Sequence, residues 1–250
     1  MDYTHYKAAP ITEAIVELKL ASPMPEREQR DISEALKHLY ELSTKQIHVD
    51  LDVNMIADLS AGEGRFDAKQ IQKPIFRLSN IDQTELCIIT HQAIIVSQLA
   101  PYPGWDVFFD RIKKTLTTIG DAATPRPRQR LGVRYINRID LPMKDPTIAY
   151  EDYIKVYVGA PEELGANVGY SGNIRFYLPD LNGHLIIQSA STKSPIPRHA
   201  AFILDIDIGI DVDVPLKNED LFDLLLKIRA HKNRAFDLST TEMAKKKFGS

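Results

Sequence analysis

Apolar residues recur at every second position over residues 202–214, with acidic residues at most positions between them from residue 205 on, and this is the clearest pattern in the chain. Apolar side chains occupy every even position from Phe202 to Val214. The acidic side chains at odd positions are Asp205, Asp207, Asp211 and Asp213. Because successive side chains of a β-strand point to opposite faces of its sheet, the pattern predicts a strand with one apolar and one acidic face.

Apolar residues at helical spacing predict three amphipathic helices, over residues 26–42, over 105–119 and over 218–228. The basic segment 229–236 is expected to follow the third helix, where its cations favour the helix C-terminus. The capping-box spacing of residues 239–242 predicts a short final helix.

Apolar segments between the helices predict β-strands, and residues 61–74, which are polar and contain two glycines, predict a loop. The predicted strands cover residues 11–20, 47–53, 75–81, 85–90, 93–98, 131–141, 173–178 and 185–189, besides residues 202–214. We therefore expect an α+β fold, with long and mainly antiparallel sheets and helices packed on one face.

The order of these elements suggests an internal duplication. Residues 1–125 are predicted to form a strand, a helix, four strands and a helix, and residues 126–250 a strand, a short helix, about three strands and a helix. Residues 47–53 alternate between apolar and acidic positions, as residues 202–214 do. We expect the two units to pack as one compact body.

Composition is typical of a globular protein. The chain has 250 residues, 44% of them hydrophobic, and a net charge of −3. It has no apolar run near the roughly 20 residues that span a bilayer, and its first residues do not resemble a secretory signal. Cys87 is the single cysteine, which excludes an intrachain disulfide and a multi-cysteine zinc site. We expect a cytoplasmic protein that does not bind membranes.

Charged residues on the predicted strands form the main candidate site. Two aspartates on one strand face lie roughly 7 Å apart, and their repulsion is about 0.6 kcal/mol in water and about 2.4 kcal/mol at an effective dielectric constant of about 20. A partly buried row of aspartates therefore requires cations, which Arg134, Arg138 and Arg175 can supply. Pairing of these arginines with aspartates, including Asp50 and Asp52, across an outer sheet face is the interpretation we favour.

In the alternative interpretation the sheet encloses its charged face, so that carboxylates hold a divalent metal ion and arginines hold phosphate. The candidate ligand- or partner-binding residues are Glu17, Lys19, Arg134, Arg138, Arg175, Asp205 and Asp207. Glu17 and Lys19 resemble the last two positions of the Glu-x-Glu-x-Lys strand of triphosphate tunnel enzymes, but Ile15 stands in place of the first glutamate. This departure removes one proposed metal ligand.

Motifs of known catalytic sites are absent from the sequence. It has no Gly-x-Ser-x-Gly elbow, no glycine-rich phosphate loop before a helix and no histidines at metal-ligand spacing. We therefore expect no catalytic residue, metal or cofactor. Five arginines from Arg126 to Arg138 have no acidic residue among them, but the acidic net charge favours their pairing with neighbouring strands over binding of nucleic acid. A protein partner, or a homodimer formed along exposed edge strands, is the favoured association.

Three segments together resemble a family of proteins found sporadically in bacteria and archaea. They are residues 6–17 (YKAAPITEAIVE), 131–139 (LGVRYINRI) and 225–236 (LLKIRAHKNRAF), followed by residues 239–241 and Phe248. Members of this family have a similar total length and no assigned activity. The resemblance implies one compact unit and a patchy distribution, which is typical of genes on mobile or defence-related loci.

These observations favour a non-catalytic binding or interaction protein. The alternative is a metal-dependent phosphohydrolase or nucleotide-binding protein with a charged site inside the sheet. The two differ in geometry, because an enzyme requires its charged side chains to converge on one cavity, whereas paired strand faces leave them spread over an open surface.

Overall fold

The computed structural model describes residue 6 and residues 8–58, 63–142, 150–165 and 168–249, with backbone alone for residues 49–58, 63–71 and 162. Nine strands of this described chain form one sheet, in which all neighbouring strands are antiparallel. The strands are β1 (Ile11–Leu20), β2 (Leu42–Asp58), β3 (Glu63–Ser79), β4 (Glu85–Ile89), β5 (Ala93–Leu99), β6 (Arg128–Pro142), β7 (Ser171–Leu178), β8 (Gly183–Lys193) and β9 (His199–Ile210). Their order is β2-β3-β4-β5-β1-β6-β9-β8-β7.

Helices accompany the sheet, and the predicted α+β class is confirmed. The α-helices of the described residues are α1 (Glu26–Ala35), α2 (Trp105–Ala122), α3 (Asn218–Ser239) and α4 (Glu242–Lys247). Buried apolar residues of α2 and α3, such as Ile112 and Leu225, belong to the same core cluster as Val133 of β6. None of these helices combines the length and apolar character needed to cross a bilayer.

The buried face of the sheet is defined by residues that lie opposite one another from strand to strand. One such row crosses the whole sheet: Ser43, Leu78, Cys87, Val96, Val16, Val133, Ile208, Leu185 and Phe176. From Leu78 to Leu185 the row is buried, whereas Phe176 on the edge strand β7 is 44% exposed. The apolar cover therefore protects the middle of the sheet and thins out toward β7.

The predicted ends of all three long helices are wrong, and the second helix runs to Ala122 and not to residue 119. The first helix ends at Ala35, followed by a 3-10 turn at Leu36–His38, and Leu42 already belongs to β2. The third helix continues through the basic segment 229–236 to Ser239, so this segment is helical and does not follow the helix. His231 thus lies within α3, where its Nε2 atom is 2.7 Å from a carboxylate oxygen of Asp180.

Two predicted strand boundaries are also wrong. Residues 63–74 of the predicted loop lie in β3, whose partner β2 extends with it as a long hairpin. Both positions of the strand alternation are polar in much of this segment, which explains why its sequence resembles a loop. The strand that begins at His199 ends at Ile210, so Asp211 and Asp213 lie beyond it, and Asp213 takes a left-handed φ of 54°.

The strand order has a similar arrangement on either side of the central pair β1 and β6. From β1 outward the strands run β5, β4, β3 and β2, and from β6 outward they run β9, β8 and β7. β1, the first strand of residues 1–125, lies beside β5, the last strand of that half, and β6, the first strand of residues 126–250, lies beside β9, the last strand of that half. The internal duplication stays a prediction, since this arrangement is compatible with it and does not require it.

Phe108 of α2 tests how much stability comes from the face of the sheet that the helices cover. It is fully buried, whereas the adjacent Val107 is 54% exposed. We expect Phe108→Ala to lower the free energy of unfolding by about 3–5 kcal/mol, because it removes a buried ring and leaves a cavity. Val107→Ala is the matched control and should change it by no more than about 0.5 kcal/mol. Urea denaturation measures both, and equal losses would contradict this description of the core.

Candidate functional site

The sheet has a charged face on the side opposite the helices. All seven predicted site residues lie on this face: Glu17 and Lys19 on β1, Arg134 and Arg138 on β6, Asp205 and Asp207 on β9, and Arg175 on β7. Their neighbours along each strand, such as Val16 and Val133, are buried in the core. Strand alternation therefore brings these residues to one face, although it does not by itself bring them into contact.

Ion pairs link the central strands on this charged face. The Nε atom of Arg134 lies 3.0 Å from each carboxylate oxygen of Asp205. Asp207 is the residue directly opposite Arg134 in the register, and Asp205 lies diagonally across from Arg134 on the same strand as Asp207. The hydrogen bond with Asp205 holds the pKa of Arg134 above its usual range. Arg130 lies 2.7 Å from Glu17 and 3.6 Å from Asp207. The predicted pairing of arginines with strand aspartates is thus present on β6 and β9.

The remaining predicted residues do not join this network in the way that the sequence suggested. Arg138 pairs with Asp140 on its own strand at 3.0 Å, and Asp140 also accepts a hydrogen bond from Ser194. Lys19 and Arg175 are exposed, and Arg175 lies on the edge strand β7, two strands away from β9. The side chains of Asp50 and Asp52 lie outside the described part of the structure.

Partial burial disfavours the ionised form of one aspartate on this face, Asp207. Burial raises the pKa of Asp207, and the nearby guanidinium groups of Arg130 and Arg134 offset only part of that rise. Among the side chains that the structure describes, no three His, Cys, Asp or Glu residues are grouped closely enough to hold a metal ion. The charged face therefore consists of side chains that mostly neutralise one another.

A cavity of about 150 Å³ lies on the helix side of the sheet, and none of the seven predicted residues lines it. Its walls come from the segment before β1, the turn before α2, strand β6 and helix α3. The lining residues are Tyr6, Ala9, Pro10, Ile11, Tyr102, Gly104, Trp105, Tyr135, Asn137, Arg229, Lys232, Asn233, Phe236 and Asp237. A cavity of this size accommodates a molecule on the order of benzene.

Aromatic rings form much of this cavity and carry two cations. The rings of Tyr102 and Tyr135 meet edge to face with centroids 5.9 Å apart, and their hydroxyl oxygens are 3.2 Å apart. The Nζ atom of Lys232 lies 4.2 Å from the centroid of the Tyr135 ring. The guanidinium carbon of Arg229 lies 5.4 Å from the centroid of the Trp105 ring. Both cations are therefore within the distance of a cation–π interaction.

Lys232 is unusual among the lysines of the structure. Burial, reinforced by the positive charge of Arg229, lowers its pKa to about 8, while Asp237 acts in the opposite direction. No carboxylate of the described residues lies within salt-bridge distance of its ammonium group. Arg229, in contrast, has Asp106 at 3.7 Å, although that aspartate is 93% exposed. Asp237 also lines the cavity, but it accepts a hydrogen bond from Tyr6 and lies 4.0 Å from Lys245, so among the described residues it forms no ion pair with Lys232.

Burial affects two further polar groups of the cavity, the Tyr102 hydroxyl and the Trp105 indole N–H. Burial raises the pKa of Tyr102 to about 12, so its hydroxyl keeps its proton at neutral pH. Trp105 is 8% exposed, and its indole N–H has no hydrogen-bond partner in the described part of the chain. An unsatisfied buried donor costs about 1–3 kcal/mol. An acceptor atom on a bound molecule would relieve that cost.

The sequence contains a signal for this cavity that the predictions missed. Arg229, Lys232, Asn233 and Phe236 are spaced i, i+3, i+4 and i+7, so they share one face of a continuous helix. The prediction ended the helix at residue 228 and therefore did not place them on one face. The segments 6–17, 131–139 and 225–236, which carry the family resemblance, each contribute residues to the cavity.

The ion pair between Arg134 and Asp205 should respond differently to loss of each partner. Asp205 is 5% exposed, whereas the Arg134 side chain is 44% exposed. Arg134→Gln leaves a buried carboxylate without its partner and should lower the free energy of unfolding by about 3 kcal/mol. Asp205→Asn leaves an arginine that water can solvate and should lower it by about 1 kcal/mol. Urea denaturation of both variants is the measurement, and a larger loss for Asp205→Asn would refute this account.

Lys232 should make stability depend on pH above neutrality. An unfolded lysine has a pKa near about 10.4, so between pH 8 and 10 the unfolded chain binds more protons at this position than the folded chain does. The contribution of Lys232 to the free energy of unfolding therefore rises with pH in this window. We expect Lys232→Met to be more stable than the native protein at pH 7.5 and to lose this advantage by pH 10. Lys227→Met, at an exposed position of α3, is the control, and parallel stability profiles for the native protein and Lys232→Met would contradict the prediction.

Comparisons with known proteins give few matches. No family model and no curated protein matches the chain. Among solved structures it is similar to DynU16, a protein of the dynemicin biosynthetic locus, with 12% identity, 96% of this chain and 100% of that chain covered, and a TM-score of 0.25. It is also similar to the RNA triphosphatase Pct1 of S. pombe in complex with the Spt5 CTD, with 9% identity, coverages of 92% and 87%, and a TM-score of 0.17. At these TM-scores neither likeness bears on fold or function.

Proposed function

We propose that this chain is a non-catalytic binding protein, and that the cavity under α3 holds a small organic anion with a flat apolar body. The observation that supports this most is the placement of Arg229 and Lys232 over aromatic rings, with no carboxylate of the described residues paired to Lys232. A pocket with apolar walls and a few convergent polar groups is the usual form of a small-molecule site.

Electrostatics favours an anion as the occupant. The lowered pKa of Lys232 indicates that burial disfavours its charged form in the empty cavity. A bound carboxylate would supply the missing negative charge, restore the ammonium form and accept hydrogen bonds from nearby donors. The aromatic side chains of Tyr102 and Trp105 would contact the apolar body of the ligand.

The second candidate, a metal-dependent phosphohydrolase or nucleotide-binding protein on the charged face, has weaker support. Arg134 and Asp205, which would hold phosphate and metal, hold each other in a bidentate pair. A ligand would have to break this pair, whose aspartate is buried. Arg175 and Lys19 are exposed and accessible, but they lie on strands that are four positions apart in the sheet.

We extend the proposal to the internal organisation of the chain, its association with other proteins and its location in the cell. The similar strand order on either side of β1 and β6 supports an internal duplication. The exposed edge strand β7 offers a surface for a homodimer or a protein partner, in preference to nucleic acid. We also propose a cytoplasmic location, which is compatible with Cys87, a buried thiol whose pKa burial raises to about 12. Carriage on mobile or defence-related loci is supported by the family resemblance alone.

Benzoate and its neutral analogue benzamide test the proposed site. Benzoate should raise the melting temperature of the native protein, because a ligand at a hundred times its Kd stabilises the folded state by about 2.7 kcal/mol. Benzamide has the same shape without the charge and should have a much smaller effect. Lys232→Met should abolish the benzoate effect, and Lys227→Met should retain it. Equal shifts with the two ligands, or a full benzoate shift in Lys232→Met, would rule out the anion site.

A further inference from the structure

We propose that Lys232 forms a reversible imine with the carbonyl group of a 2-oxo acid bound in the cavity under α3. The inference rests on the proposed function, because it requires the anionic end of the same ligand to be held in the same cavity. It adds the chemical class of the ligand and a covalent mode of binding, which the cavity alone does not specify.

Attack on a carbonyl requires a lysine that is partly unprotonated. With a pKa of about 8, half of Lys232 is a neutral amine at pH 8, against about 0.4% of an ordinary lysine. No carboxylate among the described residues forms an ion pair with its Nζ atom, so no salt bridge holds the lysine in its ammonium form. Buried lysines in such surroundings are the ones that proteins use as nucleophiles.

The position of Arg229 selects an acid whose carbonyl is adjacent to its carboxylate. Arg229 and Lys232 are three residues apart on one face of α3, so their Cβ atoms are about 5–6 Å apart. Both side chains line one cavity, and Arg229 is close enough to lower the pKa of Lys232, so a carboxylate bound by the guanidinium group would place the next carbon of the ligand near the Lys232 amine. The rings of Trp105 and Phe236 line the remaining part of the cavity and suit an apolar substituent.

The reaction is a condensation that needs no oxidant or reductant. The nitrogen lone pair of Lys232 attacks the carbonyl carbon, and the π electrons of the C=O bond move to the oxygen. The nitrogen then gives up one proton and the oxygen takes up one, which gives a carbinolamine. The C–O bond breaks as the oxygen takes up a second proton and leaves as water, and the nitrogen loses its remaining proton, which leaves the neutral imine. Tyr102 and Tyr135 line the same cavity, and burial raises the pKa of both hydroxyls, so both keep their protons at neutral pH. One of them can donate a hydrogen bond to the carbonyl oxygen, while water exchanges the protons.

Other lysines of the described chain lack this combination of features. Lys45 lies 2.5 Å from Glu26, Lys114 lies 2.9 Å from Asp110, and these pairs favour the ammonium form. Lys227, on the same helix as Lys232, is exposed to water. Selective reaction at Lys232 would therefore report on the cavity and not on general lysine chemistry.

The test compares benzoylformate with mandelate, in which an alcohol replaces the carbonyl group. Each is incubated with the full chain and sodium cyanoborohydride, which reduces an imine to a stable amine. Intact and peptide mass spectrometry should then find one adduct, the mass of benzoylformic acid less one oxygen atom, on Lys232. We expect at least ten-fold more adduct there than on Lys227, none with mandelate, and no more than the Lys227 background on α3 in Lys232→Met. Because the bound carboxylate favours the ammonium form of Lys232, the labelling rate should rise with pH to a midpoint above the value of about 8 for the empty cavity.

Melting temperatures measured in parallel, without the reductant, separate the two proposals. If both acids stabilise the native protein but benzoylformate gives no adduct, the cavity binds anions and the imine is refuted. If adducts are spread over exposed lysines, the imine is refuted as well. Labelling of Lys232 that is unchanged in Arg229→Met would refute the selection of a 2-oxo acid by Arg229. If neither acid stabilises the protein and no adduct forms, the proposed function itself fails. A folded Lys232→Met variant, verified by its melting curve, ensures that loss of labelling reflects the missing amine.

Discussion

Burial of one face of a nine-stranded sheet under α2 and α3 is the interaction on which the rest of the structure depends. It fixes the register, because a slip of one residue in any strand would turn its apolar side chains to the opposite face. The row from Leu78 to Leu185 remains buried across seven consecutive strands. Each charged residue at the alternate positions of β1, β6 and β9 must then lie on the other face, whether or not it has a function there.

That second face explains why acidic and basic residues are so dense on the central strands. Glu17, Arg130 and Asp207 come from three adjacent strands and are close enough to neutralise one another. Neighbouring like charges would otherwise repel at partial burial. The pairing lowers the repulsion between like charges on this face, and it also leaves these residues fewer unpaired groups with which to bind a ligand. Charge density in a sequence is therefore a poor guide to a binding site when the alternation places both signs on one sheet face.

The fold could be predicted from the sequence wherever one face of an element is uniformly apolar. β1 was predicted with its observed bounds, and the strand before α3 was recognised from its alternation, because both bury one face completely. Prediction failed where both faces are polar, as in residues 63–74, or where cations line a buried helix face, as at Arg229 and Lys232. Helical spacing could have placed Arg229 and Lys232 on one helix face, but the cavity also requires the segment before β1, the turn before α2 and β6 to meet α3, a tertiary arrangement that local patterns do not encode.

α3 belongs to the core and to the cavity at the same time. Leu225 and Ile228 in its first half contact the core, while Lys232 and Phe236 in its second half form a wall of the cavity. A molecule in the cavity therefore also contacts α3, the helix that packs on β9. Occupancy would slow local opening of α3 and of the strand beneath it, and the exchange of their backbone amides with solvent would slow together. Because β9 carries Asp205 and Asp207 on its opposite face, a ligand in the cavity would also stabilise the strand that bears these two residues of the charged face.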